Sequence, residues 1–123
     1  MKTGEIPLFF NMLPQENRLR KEKEIEKVFK IGKSVYDPVC GFKFLPNGLL
    51  VSRFAFMVGT KIYKSAVKRN RLRRQIREII HLNLSKIKPG FDFTFIARPE
   101  AKEADYQVLE NRIISGLKRE RMI

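Results

Sequence analysis

The spacing of apolar residues along the chain switches between the 3.6-residue period of a helix and the two-residue period of a strand. Residues 22–31 place Ile25, Val28 and Phe29 at i, i+3 and i+4, which predicts an amphipathic helix ending before Gly32. Residues 65–84 return to that period, with these residues on one side: Leu72, Ile76, Ile79, Ile80 and Asn83. Residues 103–118 predict a third helix with this apolar face: Tyr106, Leu109, Ile113 and Leu117.

Three other stretches alternate as strands do. Residues 35–45 direct one set towards the core (Cys40, Phe42 and Phe44) and the other set away from it (Val39, Gly41 and Lys43). Pro38 is expected to break or bulge this strand, or to leave it on an edge. Residues 50–59 repeat the pattern, with Phe54, Phe56 and Val58 on one face, and residues 91–98 do so with Phe91, Phe93 and Phe95.

The order of elements predicts the fold class. The turn sequence Pro46-Asn47-Gly48 indicates an antiparallel hairpin between the first two strands. The order α-β-β-α-β-α then favours an α+β domain with helices against one small sheet, over residues 15–123. Residues 1–14 are interpreted as an N-terminal extension without the features of a signal peptide, and no apolar run approaches the ~18 residues of a membrane span.

Charge then narrows the function. The chain has 26 Lys and Arg against 13 Asp and Glu, and its net charge of +13 indicates a polyanionic partner, meaning nucleic acid or an anionic membrane surface. Eight basic residues and no acid fall between residues 61 and 77, where like charges on one helix repel. Guanidinium groups in a stripe suit phosphate, so the candidate phosphate-binding residues, which would contact RNA if the partner is a nucleic acid, are these: Lys61, Lys64, Lys68, Arg69, Asn70, Arg71, Arg73, Arg74 and Arg77.

Groups for protein-based catalysis are sparse. His81 is the sole histidine, Cys40 is the sole cysteine and is expected to be a buried thiol, and the acids are scattered. We therefore predict no catalytic residue and no metal site in the protein. The lone cysteine favours the cytoplasm.

The residues around Asn70 also resemble a known family. Ser65-Ala66-Val67-Lys68-Arg69-Asn70-Arg71-Leu72-Arg73-Arg74 is similar to the signature of bacterial ribonuclease P proteins. Two further blocks, Asn17-Arg18-Leu19-Arg20 with the ending of the first helix, and Pro89 to Pro99, resemble the family in the same order and spacing.

That resemblance implies a specific fold and function. The fold would be a two-layer α–β sandwich like the second domain of ribosomal protein S5, with a left-handed strand–helix–strand crossover. The protein would bind a catalytic RNA subunit and the 5′ leader of precursor tRNA, with no membrane and no small-molecule substrate. The RNA, with Mg²⁺, would perform the phosphodiester chemistry. The cleft beside the first helix, expected to hold the leader, would comprise Phe29, Ile25, Val39, Gly41 and Lys43.

Some alternatives stay open at this stage. Ile25 and Lys43 occupy positions where the family often has aromatic residues, which leaves Phe29 as the main ring of the cleft, and Phe29 could equally be a core residue. Lys64 stands where the family usually has glycine, so the turn before the basic helix could differ. A structural RNA-binding protein such as a ribosomal protein, and a self-sufficient nuclease, are the rival functions.

Overall fold

A computed structural model describes residues 13–123 and contains three α-helices and four strands within that range. The helices are α1 (Glu22–Ile31), α2 (Ala66–Leu82) and α3 (Tyr106–Arg119). The strands are β1 (Lys33–Val35), β2 (Cys40–Pro46), β3 (Arg53–Met57) and β4 (Phe91–Ala97). The α+β class is confirmed, and the order gains one short strand, β1, after the first helix.

The four strands form one sheet in the order β1-β2-β4-β3. β4 pairs antiparallel with β2 and parallel with β3, so the predicted hairpin between β2 and β3 is wrong. β2 and β4 both have seven residues and pair along their whole length, whereas β3 has only five. The segment β3–α2–β4 is therefore a crossover between parallel neighbours, and it places the basic helix over the sheet.

Pro38 interrupts the first predicted strand, as the sequence suggested. The chain turns between β1 and β2, which pair antiparallel. The Asp37 carboxylate accepts hydrogen bonds from the backbone N–H groups of Val39 and Cys40, at 2.8 and 3.3 Å, and forms an ion pair with Arg112 of α3 at 3.0 Å. This turn is thus fixed both locally and to the last helix.

One face of the sheet carries a phenylalanine-rich core beneath α2 and α3. Phe42, Phe54, Phe93 and Phe95 are all buried, and neighbouring rings lie close, with centroids 5.1 Å apart for Phe54 and Phe93 and 5.2 Å for Phe42 and Phe95. The predicted apolar faces of both helices pack here. Burying each such ring contributes about 1.5–3 kcal/mol, so this face supplies most of the stabilisation from apolar burial.

α1 packs on the opposite face of the sheet. Val28 is fully buried there with Leu19 and Ala55, and Ile25 packs partly buried against them.

The prediction that Val39 faces away from the core is wrong, because Val39 precedes β2 and is buried in the phenylalanine core. The turn between β1 and β2 carries its side chain inward instead of continuing the alternation of the strand.

Two glycines at turns adopt positive φ values, and one residue of the predicted N-terminal extension is buried. Gly48 and Gly90 adopt positive φ values of 72° and 90°, and Gly48 lies in the predicted turn Pro46-Asn47-Gly48. Leu13 is buried in the main core, whereas residues 1–12 of the predicted extension lie outside the described residues. Within residues 13–123, no helix has both the length and the apolar character needed to span a bilayer.

The absence of a side chain at Gly41 lets the backbone of Val35 approach closely, so substitution of Gly41 tests the packing of β1 against β2. A Cβ atom there would lie 2.7 Å from the carbonyl oxygen of Val35, so Gly41→Ala should lower the free energy of unfolding by about 1–3 kcal/mol. Gly59→Ala is the control, because nothing lies within 4 Å of its Cβ position, and it should change stability by less than about 0.5 kcal/mol. Urea denaturation measures both, and equal midpoints for the two variants would contradict the β1–β2 geometry.

Candidate nucleic-acid interface

Helix α2 begins at a defined cap and presents its basic residues on three sides. The Ser65 hydroxyl accepts a hydrogen bond from the backbone N–H of Lys68 at 3.3 Å, which starts the helix. The apolar side faces the core, as predicted. The rest of the surface divides into three rows: a cleft row (Arg73 and Arg77), an outer row (Asn70, Arg74 and His81) and a row towards α3 (Lys68, Arg71 and Gln75).

The cleft row forms one wall of a cleft of about 290 Å³ between α1 and α2. Its floor is apolar and comes from α1, β3 and the segment before α1, and its charged residues are all arginines. The lining residues are Leu13, Arg18, Leu19, Ile25, Phe54, Ala55, Phe56, Met57, Arg73 and Arg77. A cleft with an apolar floor, cationic walls and no acid is suited to a ligand that combines flat apolar groups with negative charge.

The arginines of this cleft repel one another. Burial lowers the pKa of Arg77, and the nearby charges of Arg73, Arg18 and Arg74 lower it further. The Arg77 guanidinium lies 6.0 Å from the centre of the Phe56 ring, which holds it at the cleft wall. Arg18 is oriented by donating a hydrogen bond from Nε to the carbonyl of Leu13 at 2.8 Å. An anion bound here would relieve the repulsion.

Arg69 has a different environment from Arg73 and Arg77, with which the sequence grouped it. Its guanidinium donates hydrogen bonds to the carbonyl oxygens of Tyr63 and Lys64, at 3.0 and 2.7 Å. Arg69 therefore fastens the turn before α2, including the position at which lysine replaces glycine. Arg71, Arg74, Lys61 and Lys64 are exposed, and Arg73 donates a hydrogen bond to the side-chain oxygen of Asn70.

The predicted leader-cleft residues separate into two groups. Ile25 lines the cleft, whereas Phe29 and Lys43 meet each other at the end of α1. Lys43 Nζ donates a hydrogen bond to the Phe29 carbonyl at 2.9 Å and lies 5.6 Å from the centre of its ring. The Phe29 side chain is 37% exposed, so it is not a core residue, and its ring is available to a ligand.

Gly41 does not form part of an open surface. It is buried, and the backbone that approaches it closely belongs to the turn between β1 and β2 of the same chain, at Val35 and Asp37. Val39, buried in the main core, likewise offers no surface to a ligand. Of the five residues predicted for the cleft, Ile25 lines it, Phe29 and Lys43 lie at the end of α1, and Val39 and Gly41 are buried.

An ion-pair network fixes α1 and hence one side of the cleft. Arg53 donates two hydrogen bonds to Asp92, at 2.9 and 2.8 Å, and two to Glu24 of α1, at 3.3 and 3.1 Å. The Asp92 side chain is only 8% exposed, and it also accepts a hydrogen bond from Asn47. Hydrogen bonding of Arg53 to the Asp92 carboxylate, which accepts, is the main reason that the pKa of Arg53 is raised. The network links α1 to the sheet and to the turn after β2.

The groups considered for catalysis occupy structural positions. Burial and the nearby Asp37 carboxylate raise the pKa of the Cys40 thiol to about 12, which makes the reactive thiolate scarce at neutral pH. Asp92 is engaged by Arg53, and His81 lies half-buried in the last turn of α2. Among residues 13–123, no three His, Cys, Asp or Glu side chains lie close enough together to hold a metal ion.

Sequence reasoning missed seven residues of the cleft: Leu13, Arg18, Leu19, Phe54, Ala55, Phe56 and Met57. They come from the segment before α1 and from β3, which the sequence does not place beside each other. Arg18 forms an isolated parallel bridge with Phe54, and the N–H of Leu19 donates a hydrogen bond to the Phe54 carbonyl at 2.9 Å. Alternation in β3 gave the only signal, since it directs Ala55 and Met57 away from the phenylalanine core.

Comparisons with known proteins agree with one family. The family model described as Ribonuclease P matches residues 13–121. A ribonuclease P protein component of Pelotomaculum thermopropionicum is 43% identical over 101 residues, covering 82% of this chain and 89% of the relative. The solved RNase P protein of Thermotoga maritima superposes with TM-scores of 0.76–0.77 at 33–34% identity, covering 83% of this chain and 96–98% of that one. The protein of Staphylococcus aureus gives a TM-score of 0.79 at 27% identity, covering 86% and 96%.

Removing Arg53 should loosen α1 more than it disturbs the rest of the fold. Arg53→Met leaves the buried Asp92 carboxylate without its cation and should cost about 2–3 kcal/mol, with faster amide exchange in residues 22–31. Adding Asp92→Asn should recover part of this loss. Lys33→Met removes an ion pair whose lysine is 66% exposed, and this control should cost under about 1 kcal/mol. Unchanged exchange in α1 would show that the network does not hold the helix.

Proposed function

The chain belongs to the bacterial ribonuclease P protein family, and from that premise we propose that it is the protein subunit of a ribonucleoprotein that removes the 5′ leader from precursor tRNA. The α1–α2 cleft holds the single-stranded leader, and the outer row of α2 docks the catalytic RNA. The observation that carries this proposal is the cleft itself, because it joins an apolar floor to three arginines and no acid.

The chemistry of the cleft matches an unpaired RNA strand. Arg73 and Arg77 can each bind a phosphate through two parallel N–H groups, which anchors a backbone of any sequence. Apolar floor residues and the exposed ring of Phe29 can accept base faces, and stacking on an aromatic ring contributes about 1–3 kcal/mol per base. Leaders differ in sequence among precursor tRNAs, so contacts of this kind suit the task because they do not depend on base identity.

The outer row faces solvent and fits a large folded partner. Arg74 is exposed and Asn70 stands beside it, so a guanidinium can contact phosphate while an amide contacts a base edge or a sugar hydroxyl. The catalytic groups, with Mg²⁺, belong to the RNA subunit in this proposal. The ion pair between Asp92 and Arg53 disfavours the alternative of a self-sufficient nuclease. Such an enzyme would need several unpaired carboxylates close together.

Arg77 and Arg74 form a matched pair of variants, because both are arginines of α2 and lie three residues apart. Arg77 belongs to the cleft row and Arg74 to the outer row, so comparing them tests whether the two rows bind different RNAs. Arg77→Gln should weaken binding of leader-bearing precursor tRNA by about tenfold, which is the loss of one charged contact, and should leave assembly with the catalytic RNA within about twofold. Arg74→Gln should show the reverse. Each change should also reduce the salt dependence of its own equilibrium by about one unit of slope.

Filter binding over a range of salt concentrations measures both equilibria. Leaderless tRNA serves as the control ligand, because it retains the folded body without the segment that the cleft holds. Equal effects of the two substitutions on both equilibria would contradict separate surfaces. Absence of binding to any of these RNAs, in every variant, would overturn the proposed function as a whole.

Phe29 tests the aromatic contribution to leader binding. Phe29→Ala should weaken binding of precursors with leaders of several nucleotides by about 1 kcal/mol or more, and should leave leaderless tRNA unaffected. Ile31→Ala is the control, because it removes an exposed apolar side chain from the same helix end, 63% exposed against 37% for Phe29. Affinity is measured across a series of leader lengths, with thermal unfolding of each variant. Loss that does not depend on leader length would show that Phe29 acts through the fold.

A further inference from the structure

A second concave surface lies at the other end of the basic helix and shares no residue with the α1–α2 cleft. Two hollows of about 480 and 490 Å³ meet at Tyr63, in the turn before α2. One opens towards α3 and the other towards the segment before α2, Thr60–Ser65. Both also contain Lys68 of α2 and Lys102 of the short helical turn Pro99–Lys102.

Tyr63 presents its ring among cations. The ammonium groups of Lys68 and Lys102 lie 5.8 and 5.7 Å from the centre of this ring, although 34 residues separate them in the chain. The hollows are otherwise bordered by Lys61, Lys64 and Arg71 and by one acid, Asp105, which is engaged in capping α3 by accepting a hydrogen bond from Val108 N–H at 2.9 Å. The charge around the ring is thus positive and not neutralised.

The ring stands on a fixed backbone. Arg69 holds the carbonyl groups of Tyr63 and Lys64, as described above, and Ile62 is buried while its N–H donates a hydrogen bond to the Gly59 carbonyl at 3.0 Å. Tyr63 itself is half-buried and packs at the edge of the main core. A platform held in this way loses little conformational entropy when a ligand binds.

We propose that Tyr63, Lys68 and Lys102 form a binding site for an unpaired RNA nucleotide, in addition to the cleft and the outer row of α2. The base stacks on the Tyr63 ring, and the two lysines move from the ring to the flanking phosphates, which are stronger partners for an ammonium group. Free phosphate would require only the lysines, so the ring is the feature that favours a nucleotide. This inference rests on the proposed function, in which the chain binds RNA.

Two probes separate stacking from charge: a single-stranded decamer of uridine, and a decamer of the same ribose-phosphate backbone without bases. Tyr63→Leu should weaken binding of the uridine decamer by about fivefold and change the abasic decamer by less than about twofold. Tyr63→Phe keeps the ring and should bind both probes as the unaltered protein does. Thermal unfolding of each variant reports whether the fold is retained.

The contribution of positive charge to this site is tested at Lys102, which lies outside α2. Lys102→Ala should weaken both decamers and reduce the salt slope by about one, because Lys102 is exposed and contacts phosphate in either probe. Lys86→Ala is the control and should change neither probe, because Lys86 lies beyond the opposite end of the 17-residue helix α2, about 25 Å away by helical rise.

Crosslinking then distinguishes the possible failures. A decamer carrying 5-iodouridine should crosslink on irradiation to a peptide that contains Tyr63, and Tyr63→Leu should abolish that product. Crosslinks that map only to the α1–α2 cleft, with unchanged affinity in Tyr63→Leu and Lys102→Ala, would overturn this site and leave the proposed function standing. Equal losses for both decamers in Tyr63→Leu would likewise exclude stacking. No binding of either decamer or of the catalytic RNA would overturn both proposals.

Discussion

Burial of β4 on both faces is the constraint on which the rest of the molecule depends. On one face Phe93 and Phe95 support α2 and α3, and on the other Asp92 and Thr94 lie beneath α1. The two helices that border the cleft are therefore positioned by opposite faces of one sheet. Because close-packed interiors resist deformation, the separation of α1 and α2 is set by the sheet and not by a ligand.

The fold keeps attraction and repulsion on different sides of the same helix. Leu72 and Ile76 hold α2 to the sheet through apolar burial, which involves no charge, while the arginines on its other sides repel one another. A chain without the phenylalanine core would have to neutralise α2 with its own acids to remain folded. Here acids such as Glu24 and Asp92 pair with Arg53 instead, and α2 keeps its positive charge.

Local periodicity in the sequence predicted the helices and the buried face of each strand. It could not predict which strands pair with each other. α1 begins and ends at the predicted residues because its apolar spacing and Gly32 define it locally. Phenylalanine alternates in the same way in β2, β3 and β4, so the pattern specifies which face each strand buries but not which strands are neighbours. The arginines of α2 could be predicted because their spacing along one helix is a local pattern. Arg18 and Met57 were missed because only the tertiary structure brings them to the cleft.

The strand order also determines how the chain can fold while it is being synthesised. Pro46 pairs with Phe91, so β2 cannot pair with β4 until the chain has been extended by another 45 residues. β3 also pairs with β4, so it too cannot form this pairing until β4 has been made. Until β4 leaves the ribosome, both strands have a hydrogen-bonding edge with no partner, at the stage when the cationic helix α2 has already been made. Docking of β4 between them is a single late, long-range step, and long-range pairing of this kind slows folding. The last strand to be completed is thus the one that turns separate segments into one basic surface.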